Sequence, residues 1–485
     1  MRSSLRFIAP CVLTIACHLR DPLAVATHEA RNAPAELAPT NSLPNIVVVM
    51  TDDQREDQLD QMPLTRRLLA DSGVRFTKGV HTTPVCCPSR AGFLSGQAQH
   101  THGVLDNYGP QSGAAAFQDA STLATELQSR GYLTALVGKY LNDYVSNGPL
   151  YVPPGWDEWR AFKEGGAGSP FVANYYNYTL VERPFGGVTA ESTYANTEAV
   201  YSTRVLRRKA IDFIGRAPAS QPIFLLLTPY APHTAVQVLS ATVGSCNAYS
   251  LTHRPSVNEA DVSDKPAYVQ SRTLATTTQL ANVITTRRKQ CEALQTVDRM
   301  VFDVASMLRS RGRLANTLFV FTSDNGLLAG EHRLRNRKHS AYLEATTVPL
   351  LIRYPGAAMA ARDTNLVHMT DLSATIRSVA GIPAPFGAHG QSLLPLLTSP
   401  NSTFSNEVLI EHSVLTPAAE HFTALRTHTH LYVEYPWGSS SGGPFTELYD
   451  LVADPFQMNN IASDPAQAVT VAQLATRLAI RRSMP

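Results

Sequence analysis

Four short apolar runs, each cut off by polar residues, leave this chain few architectures. Asn45-Ile46-Val47-Val48-Val49-Met50 runs into Thr51-Asp52-Asp53, and Leu133-Thr134-Ala135-Leu136-Val137 into Gly138-Lys139. Ile223-Phe224-Leu225-Leu226-Leu227 leads to a turn carrying Pro232-His233, and Thr317-Leu318-Phe319-Val320-Phe321 leads to Thr322-Ser323-Asp324-Asn325-Gly326. Unbroken apolar runs of this length suit strands covered on both faces. Helical periodicity lies between them: Asp119 to Arg130, Val200 to Gly215, and about Arg287 to Arg311, with Val297, Val301, Val304 and Leu308 on one side. Strands alternating with helices imply an α/β fold, a large and mostly parallel sheet sandwiched by helices. Ligands of such sheets bind outside the carboxyl ends of the strands, where these polar groups fall. Residues far apart in sequence are therefore expected to meet.

What would meet there is chemically specific. Asp52, Asp53, Asp324 and Asn325 offer oxygen ligands only, a set for calcium or magnesium rather than zinc. Arg90, Lys139, His233 and Lys338 are cationic or become so on protonation. A metal ringed by cations suits a tetrahedral anion such as sulfate or phosphate. Taken singly, each residue has a plainer reading: Asp52-Asp53 as a helix cap, Asp324-Asn325-Gly326 as a turn, Lys139 as a solvated lysine, His233 as a structural histidine, Lys338 as part of a basic loop. Most of them fall at strand ends, where the fold would place a ligand, and that joint pattern favours the site.

Cys86-Cys87-Pro88-Ser89-Arg90 adds a reactive atom. Pro88 suits the first turn of a helix, Ser89 to Leu94 reads as helical, and Gly96 is a stop. Cys86 is thereby expected just before a helix N-terminus, where free N–H groups and the helix dipole favour an anion. Arg90 adds a fixed positive fork one turn on. The plain alternative is a buried structural cysteine.

Length and charge bound the rest. The 485 residues, 44 % hydrophobic, suffice for a large domain with an appendage. A net charge of +2, from 41 basic and 39 acidic residues, argues against a nucleic-acid binder. No apolar stretch is long enough for a transmembrane helix, so no integral membrane association is expected. Arg2 and Arg6, the apolar run Phe7 to Cys17 and Ala24-Val25-Ala26 read as a signal peptide over 1–26, and 27–43 as a linker. A fainter lipoprotein-like reading ends at Cys17. Export to an extracellular, periplasmic or lysosome-like compartment follows. Beyond the leader remain Cys86, Cys87, Cys246 and Cys291, of which the last two can pair in an oxidising compartment. Residues 44–395 are expected to form the catalytic domain and 396–485 a smaller α+β piece, with strands at Glu407 to His412 and His430 to Glu434. A closing helix is capped by Asp464 and opened by Pro465.

Several of these segments together resemble the type I, formylglycine-dependent sulfatases, on the branch of the N-acetylglucosamine-6-sulfatases and arylsulfatases. Asn45 to Gln54 resembles that family's first strand and metal pair, Cys86 to Gly96 its activation signature, and Gly131 to Asn142 its second signature. Tyr175 to Leu180 resembles a glucosamine-6-sulfatase segment, Phe321 to Gly326 the second metal segment, and Glu447-Leu448-Tyr449-Asp450 through Asn460 the C-terminal signature.

The resemblance implies an alkaline-phosphatase-like fold and hydrolysis of a sulfated sugar, glycosaminoglycan or aryl sulfate. It implies one Ca2+, or Mg2+, held by Asp52, Asp53, Asp324, Asn325 and modified Cys86. A formylglycine-generating enzyme would convert Cys86 to formylglycine, whose hydrated aldehyde attacks sulfur. Arg90 would brace that region, Lys139 would contact the aldehyde or sulfate, and His233 and Lys338 would bind sulfate, one of them protonating the leaving alcohol. Two departures stand out. Leu141 occupies a position where many members carry histidine, leaving the base of the second step among His100, His102, His332 and His339. Tyr342-Leu343-Glu344 displaces an acidic residue that usually follows the tyrosine directly. The rival functions are a phosphatase or phosphonate hydrolase on the same fold and a non-catalytic binder of sulfated glycans.

Overall fold

The computed structural model describes residues 43–484, apart from 165–173, 250–253, 406 and 416–419. The expected signal peptide and all but the last residue of the linker lie outside the described residues. Ten strands make the main sheet: β1 (Asn45–Thr51), β2 (Val74–Val80), β3 (Leu133–Gly138), β4 (Glu158–Phe162), β5 (Tyr178–Arg183), β6 (Ala190–Tyr194), β7 (Ile223–Thr228), β8 (Thr317–Ser323), then, after the short hairpin of β9 (Leu328–Ala329) and β10 (Arg335–Arg337), β11 (Thr347–Arg353) and β12 (Ala361–His368). Their spatial order is β12-β2-β11-β8-β1-β7-β3-β4-β5-β6. The four apolar runs are β8, β1, β7 and β3, adjacent and parallel at the centre. The sheet is more mixed than expected: β11 runs antiparallel to both neighbours, as does β5, and the edge strand β6 is antiparallel to β5.

Alternation along β1 shows why a continuous apolar run was required. Ile46, Val48 and Met50 face a core closed by helices α1 (Cys86–Ser95), α2 (Leu123–Ser129) and, later in the chain, Met369–Ala380, through Phe93, Leu127 and Ile376. Val47 and Val49 face the opposite core, closed by α3 (Ser202–Arg216) and α4 (Thr277–Ser310). The expected stripe of α4, Val297, Val301, Val304 and Leu308, is fully buried there. Each such side chain contributes about 1.5–3 kcal/mol by leaving water. Helix α4 starts ten residues before the expected Arg287, because Thr276 accepts a hydrogen bond from Gln279 N while the Gln279 side chain reciprocates. Helix α2 is shorter than expected because Thr122 caps it.

A second, antiparallel sheet of β13 (Glu407–His412), β14 (Phe422–Thr427), β15 (His430–Tyr435) and β16 (Phe445–Asp450) follows. One face packs on Tyr342 and Tyr268, and the other takes Leu474 and Leu478 of the closing helix Ala468–Arg482. Asp464 accepts from Ala466 N, and Pro465 opens a single 3₁₀ turn before that helix. Both sheets belong to one structural unit. Cys246 and Cys291 form a disulfide that ties the segment after β7 to α4. Among the described residues no helix is long and apolar enough to cross a membrane.

Candidate active site

The carboxyl ends of β1, β3 and β8 meet the start of α1. Cys86 is the first residue of α1, one position further into the helix than the sequence suggested, with Val85 as its cap and Gly96 ending it at φ 81°. Glycine is also required at 138, where φ is 126° and a Cβ would lie 2.0 Å from the Thr228 carbonyl oxygen. That close approach turns the chain so that Lys139 leaves β3 toward the site. Asp52 and Asp53 do not cap the next turn, whose cap is Arg55. They point instead at the reactive helix, Asp53 in the left-handed region at φ 62° and held there by a bond from its N–H to Asp324 Oδ1 of 3.0 Å.

The expected residues converge. Cys86 Sγ lies 3.3 Å from Asp52 Oδ1 and 3.9 Å from Asp53 Oδ1. Lys139 Nζ donates to Asp52 Oδ2 at 2.7 Å, and Lys338 Nζ reaches Asp53 Oδ1 at 2.5 Å and Cys86 Sγ at 2.7 Å. His233 Nε2 stands 3.5 Å from Asp53 Oδ2. Arg90 Nε and Nη2 both address Asp324 Oδ2, at 2.9 and 2.8 Å, while Nη1 donates to the Lys139 carbonyl at 2.8 Å. Arg90 thus locks α1, β3 and β8 together. Asp324 is engaged more fully than the sequence reading implied: one oxygen takes Arg90, the other the Asp53 N–H.

Electrostatics follow from this packing. Burial pushes the Asp52 carboxyl up, but Lys139 and His233 outweigh it and hold it at about 2. Asp53 is likewise kept below its ordinary value, burial being outweighed by Lys338 and His233. Burial, reinforced by Asp324 and Asp52, drives the Cys86 thiol well above its ordinary value despite both lysines. As a thiol, Cys86 stays protonated and is a weak nucleophile.

The donor set fits a cation. Ligand atoms of Asp52, Asp53, Cys86 and His233 lie within 4.8 Å of one another. Asn325 donates from Nδ2 to Asp53 Oδ1 at 2.6 Å, and its own Oδ1 is buried with no hydrogen-bond partner among the described residues. Two ionised carboxylates and an orphaned amide oxygen are what a hard divalent ion satisfies.

Sequence reasoning missed the supports. The Tyr230 hydroxyl is 2.9 Å from His233 Nδ1, so Nε2 is the atom that faces Asp53, and the Tyr230 ring sits 5.8 Å from Lys139 Nζ. The Ser89 hydroxyl bonds the Asp324 carbonyl at 2.5 Å and His81 Nδ1 at 2.7 Å. Tyr230 lies three residues before His233 at the end of β7, the one local signal available. The four histidines considered for the second step bond elsewhere: His100 to Glu411, His102 to the Val104 N–H, His332 to Glu259, and His339 to Asp106. The displaced Glu344 pairs with Arg254 at 3.2 Å. A cavity of about 430 Å³ lies against Arg55, Asp57, Glu344 and Arg426 and includes none of the residues proposed above.

A family model described as Sulfatase matches residues 44–382, and one described as N-sulphoglucosamine sulphohydrolase, C-terminal, matches residues 330–483. An N-acetylglucosamine-6-sulfatase of Capra hircus is 30% identical over 464 residues, covering 86% of this chain and 80% of that protein. An extracellular sulfatase SULF-1 homolog of Drosophila melanogaster is 33% identical over 398 residues, covering 79% of this chain and 34% of that protein, so the chain spans about a third of that relative's length. A solved structure in complex with its substrate D-glucosamine-2-N,6-O-disulfate shares the fold, with a TM-score of 0.75 at 22% identity, covering 91% of this chain and 98% of that one.

Proposed function

The chain belongs to the sulfatase family, and from that premise we propose that it releases inorganic sulfate from a sulfated sugar, with Cys86 as the reacting position. The observation that carries this reading is the meeting of Cys86, Asp52, Asp53, Lys139 and Lys338 within hydrogen-bond reach. Converted to formylglycine by a formylglycine-generating enzyme, Cys86 would supply an aldehyde hydrate, giving one hydroxyl as nucleophile and a second to eliminate sulfate. Asp52, Asp53, Asp324 and Asn325 would hold Ca2+ or Mg2+, which would polarise the ester and orient the nucleophile.

The chain's own residues do the rest. Lys139 and Lys338 neutralise sulfate oxygens on either side of position 86. His233, fixed through Nδ1 by Tyr230, presents Nε2 to the leaving alcohol as general acid. Arg90 keeps the start of α1 at the ends of β3 and β8, so that the reacting atoms meet in one orientation. The resemblance to glucosamine-6-sulfatases and the sulfated amino sugar bound by the structural relative support a sulfated glucosamine as substrate. The Cys246–Cys291 disulfide supports an oxidising, exported location.

Rates on an aryl sulfate and the matching aryl phosphate test the reaction class, and a release screen over 6-sulfated and 2-N-sulfated glucosamines tests the substrate. Sulfate ester turnover exceeding phosphate turnover by orders of magnitude is expected. Equal or greater phosphate turnover would make the protein a phosphatase on this fold.

A further inference from the structure

A second group of ligand atoms stands apart from the cluster of carboxylates, at the junction of three segments. Asp106 lies in the loop after the short helix Gln99–His102, His339 follows Lys338, and His412 ends β13. One ligand atom from each lies within 4.8 Å of the other two. His339 Nε2 is 3.7 Å from Asp106 Oδ1, and the rings of His339 and His412 have centroids 5.0 Å apart.

His412 is the telling member. It is 2 % exposed. Its Nδ1 sits 2.9 Å from the Glu420 carbonyl oxygen, a contact that requires Nδ1 to carry the proton. Nε2 therefore holds a lone pair, and that buried atom has no hydrogen-bond partner among the described residues. An acceptor left unpaired in a protein interior is costly and rare. A buried imidazolium would leave a charged Nε2–H with no acceptor, so the ring is neutral. The guanidinium of Arg337, two residues before His339, is paired with Glu420.

We propose that Asp106, His339 and His412 form a second metal site, taking a transition-metal dication of the zinc class. Two imidazoles and one carboxylate suit zinc or cobalt, whereas calcium and magnesium prefer oxygen throughout. A histidine whose Nδ1–H is fixed by a carbonyl presents the tautomer and ring orientation found in metal-bound histidines. Bonds of about 2.0–2.1 Å place tetrahedral ligand atoms about 3.3 Å apart. The His339 and Asp106 side chains, 28% and 32% exposed, have the freedom to close that distance on the fixed His412. The ion would join the small sheet to the loop carrying Lys338 and to the loop whose Asn107 accepts from the Cys87 N–H at 2.8 Å. Its role is a clasp between the two sheets, with water in the fourth position.

The test uses the full chain saturated with calcium and titrated with Co2+, read by ligand-field absorption and by metal content after gel filtration. Wild type is expected to bind one Co2+, displaced by Zn2+, and to gain thermal stability with Zn2+. H339A, D106N and H412A are each expected to weaken binding at least about tenfold and to lose the thermal gain. His339 and Asp106 are partly exposed, so those two variants decide the matter should H412A fail to fold. Wild type that takes up no Co2+ beyond calcium, or H339A and D106N that bind as wild type does, would overturn the proposal.

Discussion

Replacing Arg90 by methionine exposes how the site is held. The guanidinium is 3 % exposed and the carboxylate it serves, Asp324, is 0 % exposed. Two of its nitrogens lie 2.9 and 2.8 Å from Asp324 Oδ2, and the third donates to the Lys139 carbonyl at 2.8 Å. R90M leaves a buried carboxylate facing a thioether, a change that costs about 3–5 kcal/mol in comparable buried pairs. The orphaned Lys139 carbonyl adds about 1 kcal/mol. Against a total stability of about 5–15 kcal/mol this is a large fraction. D324N makes the reciprocal error, stranding the guanidinium. In the double variant R90M/D324N neither charge remains, so its cost is expected to fall short of the summed single costs by about 2 kcal/mol or more. Urea unfolding, followed by tryptophan fluorescence and far-UV circular dichroism with chelator present, measures all four corners of the cycle. An R90M cost below about 1 kcal/mol, or single costs that simply add, would refute the assignment of Arg90 as the lock between α1, β3 and β8.

Four further outcomes follow from the same structure. Gly138→Ala is expected to cost about 1–3 kcal/mol from backbone strain alone, more from the clash with the Thr228 carbonyl, and to lower turnover by shifting Lys139; unfolding and steady-state rates check both. K139M and K338M are each expected to reduce kcat/KM about 100- to 1,000-fold, as loss of one charge-stabilising donor does elsewhere; each also strands a buried carboxylate, Asp52 or Asp53, so a stability loss measured by urea unfolding accompanies the rate loss. Cys291→Ser opens a crosslink between residues 45 apart, for which loop closure predicts a loss of up to about 4 kcal/mol, read as a lower urea midpoint that matches reduced wild type. The hydrogen bond from His100 to Glu411 raises the His100 pKa. The stability it lends is full below about pH 6.5 and fades as pH rises through the elevated value, so the urea midpoint gap between wild type and H100Q narrows as pH rises above about 6.5.

The central sheet was legible because its four inner strands are apolar on both faces, and composition alone marks such strands. The strands missed have mixed composition. Pro349 argues against a strand, yet β11 runs through it: the register against β2 slips between Val348 and Leu350, so the proline sits at an irregularity where no ladder hydrogen bond is lost. In β12, Arg362, Asp363, Thr364 and Asn365 hide the pattern, and a second register shift falls between Asp363 and Leu366. Of the candidate site, Asp52, Asp53, Cys86 and Lys139 were legible from strand ends and from a short signature, and Lys338 from the family resemblance alone. Tyr230, Ser89 and His81 were not, because each acts through a partner that only the fold brings near. The Asp106, His339 and His412 group was invisible for the same reason: its members come from three segments with no common period or spacing.

The atom at position 86 in working protein decides whether sulfate release runs through an aldehyde. Mass spectrometry of the peptide containing Cys86, from protein made in a host with a formylglycine-generating enzyme and shown to release sulfate, reads this directly. An aldehyde-bearing peptide, trapped by hydrazide and absent from C86A, is the predicted result. A peptide that still carries its thiol in sulfate-releasing protein would contradict it.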